Sequence, residues 1–306
     1  MSDALPVAEL TRTASHLMAA KMFSLASCVM LFYDIALTLG DEVERVWLRK
    51  FTPITALWFL NRYLSPLGYI VIITSFHMRW SEEVCNRYVL FPEALKVVTS
   101  CTIGVVFIIR LYAIYSRSTA VVVVGALCLA GEIGVKIWSF TDGTHLKLPE
   151  GLVGCILVGR HDYRFVCTWI VELAFDSVVF FATLYRVIEH NRMRHGTALN
   201  LLNLILRDGV MYFGVIFVAN LLTVLMFLLA PPDIKAMNAS FSTLITSLMV
   251  SRLILNLRGA ADRPIVVQSA IEMSITGEFT HTYESYGDSP KALFGIRQEL
   301  SAIKAG

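Results

Sequence analysis

Long apolar runs alternate with short polar segments along almost the whole chain. The runs fall at 18–39, 54–76, 94–114, 120–140, 165–185, 210–230 and 239–257. Each is about 20 residues, long enough at about 1.5 Å per residue to cross a hydrocarbon core about 30 Å thick. The pattern predicts an all-α membrane protein, a bundle of seven transmembrane helices joined by short loops. Residues 121–124 alone could form a buried strand, but the full 120–140 run has the length of a span. Two runs are less clean: the first is interrupted by Lys21 and Asp34, and the seventh is rich in Ser and Thr and carries Arg252. No internal repeat and no inverted half-and-half pattern is visible, which weakens a transporter reading.

Composition supports the same solvent. The chain is 56% hydrophobic and 16% charged, with a mean hydropathy of +0.63, whereas soluble domains carry about 25% charged residues. A net charge of +2, scattered along the sequence, is too small to suggest nucleic acid, and no such partner is expected. Residues 1–17 are polar and are expected to form an extracellular amino-terminal segment before an uncleaved first span. Residues 18–258 form the transmembrane domain and 259–306 a cytoplasmic tail of flexible composition. In that tail Leu293, Ile296, Leu300 and Ile303 recur at helical spacing, predicting a short amphipathic helix at 291–304.

Lysine and arginine placement sets the expected orientation. With the amino terminus outside, inner segments collect Arg45, Arg49, Lys50, Arg117, Arg192, Arg194, Arg207, Arg258 and Arg263. Outer segments hold Arg12, Arg79, Arg87, Lys147, Arg160 and Lys235. That bias favours an outside amino terminus and a cytoplasmic carboxyl terminus, most naturally in the plasma membrane. The sequon Asn238-Ala239-Ser240 falls in an outer loop but close to the bilayer, a poor place for a glycan. Cys85 and Cys155 fall on the same expected outer face, an oxidising side where a disulfide is permitted, with Cys167 as a competing partner.

Ionisable residues inside spans cost about 2.5–3.5 kcal/mol each on insertion scales, so they face the bundle and pair. They fall into two layers. The inner one comprises Asp34, Arg62, Arg110 and Arg252. Antiparallel neighbours bring Asp34 and Arg62 to one depth, predicting an ion pair that could act as a clamp. Snorkelling to the headgroups is the expectation for Arg110 and Arg252. The outer layer comprises Lys96, Glu132, Lys136, Glu172 and Asp176. Glu132 and Lys136 are four apart and pair on one face. Glu172 and Asp176 share a face with like charge, so they need Lys96 or Lys136, water, a proton or a ligand cation. Ala126, Ala130 and Gly134 make a small-residue face that would let helices approach, and Pro66 is expected to kink span two.

Other chemistries lack their residues. All seven histidines lie outside or at the rim of the runs, so no metal site is expected in the bundle. Span seven has no lysine for a retinal Schiff base, and no phosphate loop, nucleophile elbow or zinc-protease helix occurs. The chain is not expected to be an enzyme or to hold a cofactor.

The stretch Tyr33-Asp34, Leu37-Thr38-Leu39, Glu42, Glu44, Trp47 and Leu60-Asn61-Arg62-Tyr63 resembles a basidiomycete fungal multi-pass membrane family that carries a domain of unknown function (6533). Arg110 to Tyr115, Arg207-Asp208-Gly209 and Ser251 to Arg258 are similar to its later spans. The resemblance implies a seven-span, receptor-like protein with no established activity, and supplies neither ligand nor catalytic residues. Span three has no acid before Arg110 and span seven no Asn-Pro-x-x-Tyr run, departures that count against direct G-protein coupling.

These readings lead to a receptor-like seven-helix sensor. Lys96, Glu132, Lys136, Glu172 and Asp176 would line a site for a small outer ligand, and Asp34, Arg62, Arg110 and Arg252 an inner switch. A cytoplasmic partner would meet the loop before span six and the tail. The rivals are a transporter or proton-coupled channel using the Glu172/Asp176 face, and a membrane scaffold that does not signal.

Overall fold

The computed structural model describes residues 7–145, 153–155, 157–159, 161–193, 201–231 and 234–259. The expected amphipathic helix at 291–304 lies outside the described residues. The order is α1 (Val7–Glu42), α2 (Pro53–His77), α3 (Glu82–Tyr88), α4 (Phe91–Ile114), α5 (Thr119–Phe140), α6 (Asp162–Met193) and α7 (Leu201–Leu229). A last helix, α8 (Ala239–Gly259), closes the series. Seven helices are long and apolar enough to cross a membrane, and the chain is an integral membrane protein built as a helical bundle.

The bundle is apolar on its outside and buries polar and charged groups among apolar ones. Val123, Leu127, Phe181, Leu222 and Leu228 are exposed, whereas Asn61, Arg62, Lys136, Asn220 and Thr223 are buried. In water that arrangement would be unstable, but in hydrocarbon it places each group in its matching solvent. α8 has the largest buried share of the seven spans and α5 the smallest. The Ser and Thr content of α8, which blurred it in the sequence, is therefore spent on interior contacts.

Local sequence explains several boundaries. Thr52 caps α2 reciprocally with Thr55, and Pro53 occupies the first helical position, where it loses no hydrogen bond. α1 does not stop near residue 39 but continues to Glu42 and into a π-helical turn at Val43–Trp47. Asp34, Thr38 and Glu42 follow one another at four-residue spacing and are all buried. One polar stripe thus faces the interior, and the helix persists because its partners are there rather than in water.

Helices α4 and α5 meet closely where Gly104 lies under Leu129; a Cβ at Gly104 would sit 2.4 Å from that side chain. The expected Ala126–Ala130–Gly134 face does not do this. All three residues are exposed and a Cβ at Gly134 would meet nothing within 4 Å. α5 packs through its opposite side, where Leu129, Glu132, Lys136 and Ser139 are buried.

Between α5 and α6 the loop folds into a two-stranded antiparallel hairpin, β1 (Gly143–His145) against β2 (Leu157–Gly159). A disulfide joins Cys85 to Cys155, with Cα atoms 5.7 Å apart, and Cys167 is free. The backbone N–H of Cys155 donates to Ser75 O at 3.0 Å, and Lys21 donates to Val153 O. Gly154 between them has φ +137°, a conformation that only glycine adopts without strain. Residues 153–155 are thereby held to α1, α2 and α3 together.

Candidate functional site

Two buried ionic clusters occupy opposite ends of the bundle. The first lies at the end away from the disulfide, where α1 finishes and α2 begins. Arg62 donates to Asp34 Oδ2 from Nη1 at 3.3 Å and to Ile35 O from Nη2 at 3.4 Å, and also to Thr38 Oγ1. Its Nε is 3.4 Å from Glu42 Oε2, an ion pair without hydrogen-bond alignment. Glu42 Oε1 accepts from Trp47 Nε1 at 2.9 Å and from the Tyr63 hydroxyl. Arg252 on α8 donates from Nε to Asp34 Oδ1 at 2.5 Å. Two guanidinium groups thus meet two carboxylates and the formal charges cancel, the arrangement that a low-dielectric site demands.

Asn61, one residue before Arg62, ties the cluster to α8. Its Nδ2 donates to Ser247 O at 2.9 Å and Ser251 Oγ at 3.0 Å, while Ser247 Oγ donates back to Asn61 O at 3.1 Å. Trp58 Nε1 donates to Ser251 O at 3.3 Å, and its ring lies 5.7 Å from the Arg62 guanidinium carbon. α1, α2 and α8 are therefore joined by one polar network.

Sequence reasoning placed Asp34 and Arg62 here; the buried Arg110 differs from the expectation of snorkelling, and the partly exposed Arg252 reaches Asp34 as well. Arg252 reaches inward because Asp34 has a second oxygen free of Arg62. Arg110 is buried, with its guanidinium carbon 5.1 Å from the Phe213 ring centroid, and does not join this network. Glu42, Thr38 and Tyr63 were missed as site residues. The signal available was the four-residue spacing of Asp34, Thr38 and Glu42.

The second cluster lies at the disulfide end, where α4 and α6 begin and α5 finishes. Lys136 donates to Glu132 Oε1 at 2.5 Å and to Ser100 Oγ. Glu172 Oε2 lies 3.2 Å from both Lys136 Nζ and Lys96 Nζ. Lys96 also sits 3.1 Å from the centroid of the Trp169 ring, a cation–π contact. Asp176 does not reach a lysine. It accepts from Asn220 Nδ2, whose Oδ1 accepts from Ser242 Oγ on α8. Two lysines therefore stand among three carboxylates, Glu132, Glu172 and Asp176.

Among the described residues no group of three or more His, Cys, Asp or Glu could hold a metal ion. Asn238 Nδ2, the acceptor atom of the sequon, donates to Thr223 Oγ1 at 2.7 Å and Ala219 O at 3.5 Å.

No curated protein matches the chain. Residues 22–67 match the model of a family of unknown function (DUF6533), and that stretch contains every member of the first cluster except Arg252.

Proposed function

We propose that the chain is a receptor-like seven-helix sensor of the plasma membrane, amino terminus outside, that binds a small organic cation at the disulfide end. No catalytic step is assigned to it. The observation that carries this reading is the charge balance: carboxylates outnumber lysines in the second cluster, whereas the first is neutral. An ammonium ligand would supply the missing positive charge at Asp176, the acid that only an amide partners.

The link between the two ends is α8. Ser242 is bonded to the Asp176–Asn220 pair, and Ser247, Ser251 and Arg252 to the first cluster. A cation drawn to Asp176 competes with Asn220 for its oxygens and loosens Ser242. The shift passes along a single rigid helix to Arg252 and Asp34. A ligand moves such an equilibrium only by its differential affinity for the two states.

The test titrates a panel of organic ammonium compounds against the full chain in lipid nanodiscs, reading thermal midpoint and hydrogen exchange across 34–47. A binder should raise the midpoint and alter exchange, and Asp176→Asn should abolish both. Glu42→Gln should keep binding and lose the exchange response. Flux of the cation driven by a pH gradient in proteoliposomes, lost in Glu172→Gln, would instead identify a transporter. Responses indifferent to every one of these carboxylates would leave a scaffold.

A further inference from the structure

We infer that Arg110 is the seat of an oxyanion, a phosphate-type group taken in at the end of the bundle away from the disulfide. Arg110 lies one turn before the end of α4, is 7% exposed, and has Nε, Nη1 and Nη2 all buried without a hydrogen-bond partner among the described residues. By contrast, the buried cations of the two clusters, Arg62, Lys96 and Lys136, each have a carboxylate within 3.4 Å. A guanidinium carries five donors in a planar fork suited to phosphate oxygens. Left unmet in a dry site it is strongly unfavourable, and the π-face of Phe213 at 5.1 Å offsets only part of that.

The position is built for this side chain. Gly209 on α7 lies against it so closely that a Cβ there would fall 1.7 Å from Nη2. A glycine inside a helix weakens that helix, and here it leaves the room that the guanidinium occupies. Arg45, Arg49, Lys50 and Arg117 lie at the same end of the bundle, and Arg117 is exposed. Arg45 is already paired with Asp41; the lipid phosphate of the adjoining headgroup layer is the nearest source of an oxyanion, and free phosphate is the other.

The experiment compares thermal midpoints of the full chain in phosphate-free maltoside micelles, in the same micelles with added phosphatidylglycerol, and in the same micelles with inorganic phosphate. The wild type should gain about 5 °C from a saturating oxyanion. Arg110→Gln should lose that gain and Arg117→Gln should keep it. A gain with phosphatidylglycerol alone assigns the lipid headgroup, and a gain with inorganic phosphate assigns the soluble source. Gly209→Ala, which retains the arginine but displaces it, should also lose the gain and serves if Arg110→Gln does not fold. The inference is overturned if no oxyanion shifts the wild type, or if Arg110→Gln retains the shift. It is equally overturned if Asp208→Asn and Arg110→Gln destabilise non-additively, since the partner would then belong to the chain itself.

Discussion

Arg62 Nε stands 3.4 Å from Glu42 Oε2, and neither side chain has more than 1% of its surface exposed. Glu42 lies beyond the run that hydropathy assigns to the first span, yet it is sealed inside the bundle. Its oxygens meet Trp47, Tyr63 and Arg62, so a carboxylate in hydrocarbon is matched on both sides. The π-helical turn that follows at Val43–Trp47 brings the Trp47 indole back onto it. Such turns are uncommon and cluster at sites under functional constraint.

Removing Arg62 leaves Glu42 without a cation, and removing Glu42 leaves the guanidiniums of Arg62 and Arg252 to share the single carboxylate of Asp34. Glu42→Gln and Arg62→Gln should each destabilise the fold by about 3–5 kcal/mol. The double variant should lose clearly less than the two combined, with a coupling of about 1 kcal/mol or more. Denaturation of all four proteins in the same nanodiscs measures this. Additive losses would show that the pair does not interact.

The legible part of this arrangement was the pairing of charges at one depth. Asp34 and Arg62 are the only opposite charges that antiparallel first and second spans bring level. The second oxygen of Asp34 could not be assigned, because Arg252 reaches it from 218 residues away in sequence and only tertiary packing sets that approach. The small residues Ala126, Ala130 and Gly134 misled for a related reason. Spacing shows that they share a face but not which way the face points, and the buried ions of α5 turn it outward. For the same reason Asp176 finds Asn220 rather than a lysine: one amide inside an apolar helix carries no directional signal until the helix is packed.

The Cys85–Cys155 bridge spans a sequence separation of 70 and holds the loop that also meets Ser75 and Lys21. Closing a loop of that length stabilises by about 4 kcal/mol through the unfolded chain. Joint replacement of both cysteines by Ser should therefore lower the thermal midpoint. It should also remove the mobility difference between reduced and unreduced protein on a gel. A double variant that melts with the wild type would show that the loop is held by its hydrogen bonds alone.

Asn238 should carry no glycan even though its sequon is intact. The amide nitrogen that would be glycosylated is partly buried and donates to Thr223 Oγ1 and Ala219 O. Glycosidase treatment of protein from a glycosylating host should leave the mass unchanged. Asn238→Gln should destabilise by about 1 kcal/mol through the lost hydrogen bonds. A mass shift on treatment, abolished in Asn238→Gln, would mean that the end of α7 opens before the chain is packed.

Asp142 links hairpin and bundle, and its ionisation should set the acid limit of that region. Burial opposes its charge, but the ring and backbone N–H of His161, with Arg164 3.9 Å away, outweigh that and hold its pKa below the usual carboxylate value. The backbone N–H of His161 donates at 2.7 Å and does not titrate, so the carboxylate keeps that partner whatever the state of the imidazole. A carboxyl group whose folded pKa is depressed stabilises fully above its unfolded value, about 3.9. The contribution disappears as pH falls from there through the folded value. Hydrogen exchange at 143–145 and 157–159 should therefore show protection that is constant near neutrality and declines below about pH 4. Asp142→Asn should be less protected at neutral pH, and the part of the acid decline that belongs to this carboxyl should vanish. If the variant and the wild type lose protection in parallel as pH falls, another group governs the hairpin.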